Sequence, residues 1–480
     1  MEAIAVLDIG TSSVRAGLYD LQARPVPRAT ASRMAGITTT PDGQFTIDAE
    51  ELARACLECL AEAAGQSDQP LRVLAVGTAT FWHSMVGVDS AGQALTPVYI
   101  WADSRSTAQV ARLRQDLDER AVHRRTGCRF HTSYLPARLL WLRETAPGLY
   151  RDVAAWISPG EYVHARILGQ RLCSVSMASG TGLLNQEGCD WDRELLEYLG
   201  LDAGRLPAIA PDEAFLSATD RRTIPGLSSY ATAAWYPAWG DGACSSLGAA
   251  GVGRDRMTLA LGTSGALRIL GEIPDAAPRG LWKYRLDRAN ALVGGAISNG
   301  GIVYEWLRRT LNLPDDAATE EWLRSAVPDS HGLTVLPFLT GERSPDWPAG
   351  SGGAIVGLTA ATTPLQIVQA SMEAVAYRMA LIYRLLFPLA ALDHRIIAGG
   401  VPLVRSAAWA RMFADVLGRP VTLIQDPECT ARGTAILTLH RLGVLPEMAA
   451  IEPGRGQEIA PDRHTLYRSG LERYEEAITH

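Results

Sequence analysis

The same phrase is written twice in this chain. Asp8 to Leu18 reads DIGTSSVRAGL, and Ala260 to Leu270 reads ALGTSGALRIL, about half of the 480 residues apart. In each copy an apolar run suited to a strand, EAIAVLDIG or MTLALG, meets a Gly/Thr/Ser tip and then a second alternating run, VRAGLYD or ALRIL. That is the pattern of a β-hairpin. Gly10 and Gly262 allow a sharp turn and leave amide N–H groups unobstructed, while Thr11, Ser12, Thr263 and Ser264 add hydroxyl donors. Such a tip can hold a phosphate without a lysine. One G-T-S tip is an ordinary turn, but two copies at this spacing predict a duplicated domain whose hairpins face each other across a cleft.

Composition narrows the partners. The chain is 47% hydrophobic and long enough for two cores. Its 45 basic and 52 acidic residues give a net charge of −7, and neither sign collects into a long run. This predicts small-molecule partners, with no nucleic-acid or membrane face. The start MEAIAVLDIG lacks the basic-then-apolar order of a signal peptide, and the apolar stretch Ala374 to Leu392 is interrupted by Arg378 and Arg384. A cytoplasmic protein is expected. The seven cysteines are scattered, and Cys56 and Cys59 lie in a helical stretch with no second pair, so packed thiols are expected there. Lys283 is the one lysine, and no G-x-x-x-x-G-K-[ST] stretch occurs. Phosphate binding would therefore fall to backbone amides, hydroxyls, arginine and metal.

Opposed phosphate hairpins on two related domains are the arrangement of the actin-like ATPase fold, here an analogy of architecture alone. Two acids sit where such a cleft needs them. Asp8 ends the first strand beside its tip and suits Mg²⁺ held through water. Asp241, in WGDGACSSLGAAG, is the candidate base that accepts the hydroxyl proton in phosphoryl transfer to an alcohol. An N-terminal helix cap is the other reading of Asp241.

The stretch GAIVGLTAATTPLQIVQASME, Gly353 to Glu373, resembles the second signature of the FGGY carbohydrate kinases at each constrained position. Locally it predicts a strand ending at Gly357 and a helix started by Thr363 and Pro364, with Val368, Met372, Val375, Met379, Ile382 and Leu386 as its buried stripe. The first signature is looser: TSYLPARLLWLRE has Arg138 where the family usually has lysine. The resemblance implies a two-domain α/β actin-like (ribonuclease H-like) fold, using ATP and Mg²⁺. It also implies that Asp8 is the metal-associated aspartate, that Gly10, Thr11, Ser12 and Arg15 form the first phosphate loop, and that Thr263 and Ser264 form the second. Asp241 resembles the catalytic base, and Gly399 and Gly400 resemble the adenosine loop. Gly301, before a helix, lets nucleotide approach or serves close strand-helix packing.

Trp82 and His83 fall where family members contact sugar, and WADSR adds Trp101, Asp103 and Arg105. Carboxylate, imidazole and guanidinium suit polyol hydroxyls, and an aromatic face suits the C–H side of a sugar. An aromatic core pair and a surface ion pair at Arg105 are the competing readings. Glu342, Arg343 and Asp346 lie in a Gly/Pro loop that closes over the cleft or is a solvated turn. Phrases such as FWHSMVGVD, GTSGALR and LTGERSPDW resemble the gluconokinase-like branch. The expectation is an ATP-dependent kinase with domains 1–240 and 241–480, making 6-phosphogluconate from D-gluconate. A ketopentose kinase (D-xylulose or D-ribulose) and an actin-like ATPase or sugar sensor stay open, as does a homodimer.

Overall fold

Apolar strands buried on both faces build the two halves. The computed structural model describes residues 1–66, 71–217, 227–273, 276–347, 352–425, 428–448, 450–454 and 456–479. The first sheet contains β1 (Glu2–Ile9), β2 (Ser13–Tyr19), β3 (Pro25–Met34), β4 (Arg72–Thr80), β5 (Ala234–Trp235) and β6 (Trp239–Gly240). The second contains β7 (Gly253–Leu261), β8 (Gly265–Gly271), β9 (Trp282–Arg285), β10 (Ala291–Ile297), β11 (Arg395–Gly399), β12 (Val421–Ile424) and β13 (Gly456–Ile459). Both repeated phrases form the expected hairpins, β1–β2 and β7–β8.

The wiring is duplicated as well. In the first half β1 takes antiparallel β2 on one side, followed by β3, and parallel β4 on the other, followed by β5. In the second half β7 takes antiparallel β8, followed by β10, and parallel β11, followed by β12. This is the two-domain actin-like arrangement.

Alternation along β1 divides its side chains between two cores. Ala5, Leu7 and Ile9 pack with α1 (Ala49–Gly65), whose buried face includes the free thiols of Cys56 and Cys59. Ile4 and Val6 turn the other way, into a core completed by α3 (Asp241–Ala250) and α6 (Cys429–Arg441) from beyond residue 240. The second half's main core holds α5 (Pro364–Leu386), with its six expected stripe residues buried and a capping box between Thr363 and Gln366. Helix α2 (Leu135–Thr145) carries the first-signature segment, and α4 (Gly301–Thr310) follows the Gly300–Gly301 pair.

Two glycines set the middle of the molecule. Helices α3 and α6 cross so closely that a Cβ on Gly433 would lie 1.8 Å from the Cys244 carbonyl oxygen, and one on Gly248 1.9 Å from that of Cys429. On its other side α3 meets the second sheet, where the Ser246 and Thr258 hydroxyls are 3.0 Å apart. Among the described residues, no helix is long and apolar enough to cross a membrane.

Candidate active site

Three parallel strand ends meet at one edge of the first sheet. Ile9 of β1 and Gly240 of β6 both pair with Thr80 of β4. Gly10, the Phe81–His83 turn and Asp241 therefore leave the sheet together, at the carboxyl ends where ligands collect in parallel sheets. Asp241 is the first residue of α3; Gly240 is the cap, so Asp241 is not the helix cap its position also allowed. Its Oδ1 accepts the Gly242 amide at 2.7 Å. Burial raises its pKa, opposed by that amide, by the nearby Arg268 guanidinium and by the Trp82 backbone.

Asp8 faces the same space. Burial and then the Asp241 carboxylate push it up to about 7, against the pull of Arg15. Two carboxylates repelling each other in a cleft form an oxygen donor set suited to a hard divalent cation, which fits Mg²⁺. Arg15 is exposed and paired with Glu428 at 3.1 Å, so in this structure its charge is answered across the halves, not offered alone to a phosphate.

The two tips differ from expectation in one respect. The Gly10 amide donates to Ser13 O at 3.0 Å and the Gly262 amide to Ser264 O at 2.8 Å. Each glycine amide thus closes its own turn. The hydroxyls of Thr11, Ser12, Thr263 and Ser264 make no hydrogen bond among the described residues and remain the donors at the tips. Gly262 and Thr263 line a cleft of about 720 Å³ together with Gly399, Gly400, Val404 and Arg268. Gly400 adopts φ 114° and passes so close to the hairpin that a Cβ would meet Leu261 O at 1.9 Å. Gly301 serves packing: its amide donates to Gly262 O at 2.7 Å, and a Cβ would lie 2.8 Å from that oxygen. The close strand-helix packing open to it in the sequence is therefore what this glycine makes here.

Trp82 is 5% exposed, its indole N–H donates to Ser176 O at 3.0 Å, and its ring lies against glycine backbone. A Cβ on Gly240 would stand 1.8 Å from the ring, and one on Gly180 2.2 Å. Trp82 forms the floor beneath Asp241, packed against the backbone of Gly240, Gly242 and Gly180. Asp103 is likewise occupied. Buried to 1% exposure, it accepts from Arg105 Nη2 at 2.7 Å and Nε at 3.1 Å, and from the amides of Phe45 and Arg105. Arg105 in turn lies 4.5 Å from the Trp141 ring centroid, so the pair is structural and interior.

His83 lines a small pocket with Ser84, Leu135 and Thr181, separate from the cleft at Gly262 and Gly399. His83 has φ 62°, an uncommon backbone for a residue with a Cβ, and such strain persists only where neighbours enforce it. Its Nδ1–H donates to Gly180 O at 2.5 Å, and its carbonyl accepts from Arg138 at 3.0 Å. Burial, opposed by the Gly180 bond, lowers its pKa to about 4. The ring is therefore neutral near pH 7, with Nε2 free to accept a hydroxyl proton. Trp101 is 38% exposed.

Several residues of the site carried no functional assignment in the sequence. Arg138 donates to the carbonyls of His83, Tyr99, Ile100, Thr132 and Ser133, clamping the loops that carry His83, Trp101 and Tyr134. Its signal was the arginine in place of the family's lysine. Tyr134 and Tyr284 join hydroxyls at 2.6 Å across the halves, 150 residues apart, with no local signal. Both rings flank His83, at 5.0 and 5.2 Å between centroids. Arg268 stands out in the sequence only as the charge in ALRIL. In the Gly/Pro loop, Glu342 is buried and the Arg343 guanidinium lies over the Trp101 ring, while Asp346 pairs with Arg378 at 2.7 Å.

Comparison with known proteins follows this geometry. The N-terminal domain of the FGGY family of carbohydrate kinases matches residues 3–227, and the C-terminal domain matches residues 257–442. A gluconokinase from Bacillus subtilis (strain 168) is 26% identical over 98% of this chain and 92% of its own. Two solved structures from Lactobacillus acidophilus, a gluconate kinase and a ligand-bound xylulose kinase, each superpose with a TM-score of 0.93 at 25% identity. Each covers 100% of this chain and 98% of the other. The chain belongs to the FGGY family of carbohydrate kinases, phosphotransferases with an alcohol group as acceptor, and stands with its gluconokinase-like members.

Proposed function

We propose that this protein transfers the γ-phosphoryl group of ATP to the terminal hydroxyl of D-gluconate, giving 6-phospho-D-gluconate in the cytoplasm, with the halves divided at residue 240. The observation that carries the reaction is the position of Asp241, where three parallel strand ends meet beside Asp8, Arg268 and the Phe81–His83 turn. Its raised pKa suits a group that must take a proton from an alcohol and release it later.

ATP lies with its phosphates at the two hydroxyl tips and its adenosine beside Gly399 and Gly400. Asp8 would hold Mg²⁺, which when bound would supply positive charge against the phosphates. Arg268, beside Asp241, stabilises the charge on the transferred group, in place of the lysine the chain lacks there. His83 Nε2 and Trp101 hold the acceptor.

D-Gluconate is favoured as acceptor by the gluconokinase that matches nearly the whole chain, and by cationic Arg268 and Arg343 beside the pocket. The xylulose kinase that superposes equally well keeps D-xylulose as the second reading. ADP release from Mg·ATP with D-gluconate, D-xylulose, D-ribulose, glycerol or no acceptor tests both. A gluconate-specific rate supports the proposal. Turnover of a ketopentose alone replaces the acceptor, and turnover without any acceptor replaces the reaction with simple ATP hydrolysis.

A further inference from the structure

Arg343, from the C-terminal half, lies over Trp101 of the N-terminal half and forms no ion pair within 4.0 Å among the described residues. One guanidinium nitrogen donates to Ile297 O at 3.1 Å. The flanking acids are turned elsewhere: Glu342 accepts the amides of Ser298 at 2.7 Å and Arg343 at 2.8 Å, and Asp346 is held by Arg378. The guanidinium carbon of Arg343 stands 6.0 Å from the Trp101 ring centroid.

The other groups that feel its charge are neutral or already answered. Burial, with Arg343 contributing, lowers His83 to about 4 and His131 to about 3, and burial holds the Tyr134 and Tyr284 phenols well above their ordinary values. Arg268 is electrostatically coupled to both Arg343 and Asp241. Arg268 has the Asp241 carboxylate and Arg343 the Glu342 carboxylate as a charge neighbour, and among the described residues neither forms an ion pair within 4.0 Å. With Glu342 Oε1 held by two backbone amides and a single guanidinium hydrogen bond to Ile297 O, Arg343 keeps donors for a ligand anion. The reacting hydroxyl belongs at Asp241, and the place beside Arg343, Trp101 and His83 is the other end of the acceptor.

We propose that Arg343 binds the carboxylate of the acceptor and is the residue that selects a sugar acid over a neutral sugar of the same length. This rests on the reading of the same site as that of a D-gluconate kinase. Because Arg343 comes from one half and His83 and Trp101 from the other, a sugar acid held by all three also ties the halves together over the reacting atoms.

The test compares D-gluconate with D-gluconamide, which has the same hydroxyls and a neutral amide in place of the carboxylate. Full-length wild type, Arg343→Met and Arg343→Lys are assayed for ADP release from Mg·ATP, with thermal melting to establish that each variant is folded. Wild type should prefer gluconate. Arg343→Met should reduce the gluconate-to-gluconamide ratio of kcat/KM by roughly 10- to 100-fold, chiefly through KM for gluconate, and Arg343→Lys should restore part of it. An equal loss on both acceptors, or an unchanged ratio in a folded variant, overturns the assignment. If wild type does not phosphorylate gluconate, the D-gluconate reading fails by itself, and a panel of other aldonic and uronic acids decides the rest. Arg343-dependent turnover of one of these upholds the carboxylate site, and turnover of neutral acceptors alone overturns it.

Discussion

Asp241 and Asp8 are four-atom carboxyl groups set a short way apart, and their surroundings give them different tasks. Asp241 leans on the Gly242 amide and on the Arg268 charge, and the proposed reaction makes it the base. Asp241→Asn should keep ATP binding by calorimetry while acceptor-dependent ADP release falls by about 10³-fold; retained turnover would refute its role as base. Asp8 carries a stability signature instead. Its folded pKa of about 7 lies above the ordinary 3.8, so the folded protein holds a proton that the unfolded chain has released between those values. Stability from this group is full below about pH 4 and is lost as pH rises through 7. Without Mg²⁺, Asp8→Asn should therefore melt higher than wild type at pH 8 and level with it near pH 4. A gap independent of pH would contradict the shift. Both acids were legible in the sequence because each sits beside a glycine turn at a strand end. The roles of Trp82 and Asp103 were not, because an aromatic ring and a carboxylate suit a sugar and a protein interior equally well. Only the glycine backbone against Trp82 and the four bonds to Asp103 separate the two.

Among elements, the crossing of α3 and α6 has the most leverage on the site. Asp241 begins α3, and the backbone of α3 touches that of α6 through Gly248 and Gly433. Gly433→Ala puts a methyl group into the Cys244 carbonyl, which can be relieved only by moving one helix. Overpacking of this kind costs about 1–3 kcal/mol. Urea unfolding should show that loss, together with a fall in kcat as α3 shifts Asp241; full stability would mean that the helices separate freely. The hairpins and α5 were legible because period and capping are written locally: Thr363, Pro364 and Gln366 start the helix, and its stripe follows at helical spacing. The α3–α6 contact was not, since its partners are nearly 200 residues apart and a small-residue helix does not name its neighbour.

At the scale of the whole molecule, the N-terminal half does not close its own core. Ile4, Val6, Ala75 and Ala79 lie under helices that come from beyond residue 240. A chain of residues 1–240 alone exposes that sheet face to water and should bind a hydrophobic dye or aggregate, and co-expression with residues 241–480 should recover a soluble complex. A monodisperse, dye-free 1–240 fragment would show that the first half is self-sufficient. Sharing a core also couples the sites, because α3 touches the first sheet, the second sheet and the reacting carboxylates at once.

The sequence by itself determined the two hairpins, their hydroxyl tips, the placement of Asp8 and Asp241 at strand ends, and the signature helix with its buried stripe. These follow from turn chemistry and side-chain period within a few residues of chain. Tertiary structure alone decided that Trp82 supports Asp241, that Asp103 is spent on Arg105, that Gly301 braces a hairpin, and that Tyr284 and Arg343 cross to His83 and Trp101 of the first half. Such contacts join residues separated by as much as 242 positions along the chain, as Trp101 and Arg343 are. Their chemistry depends on burial and on which partner arrives first, and no local pattern records either.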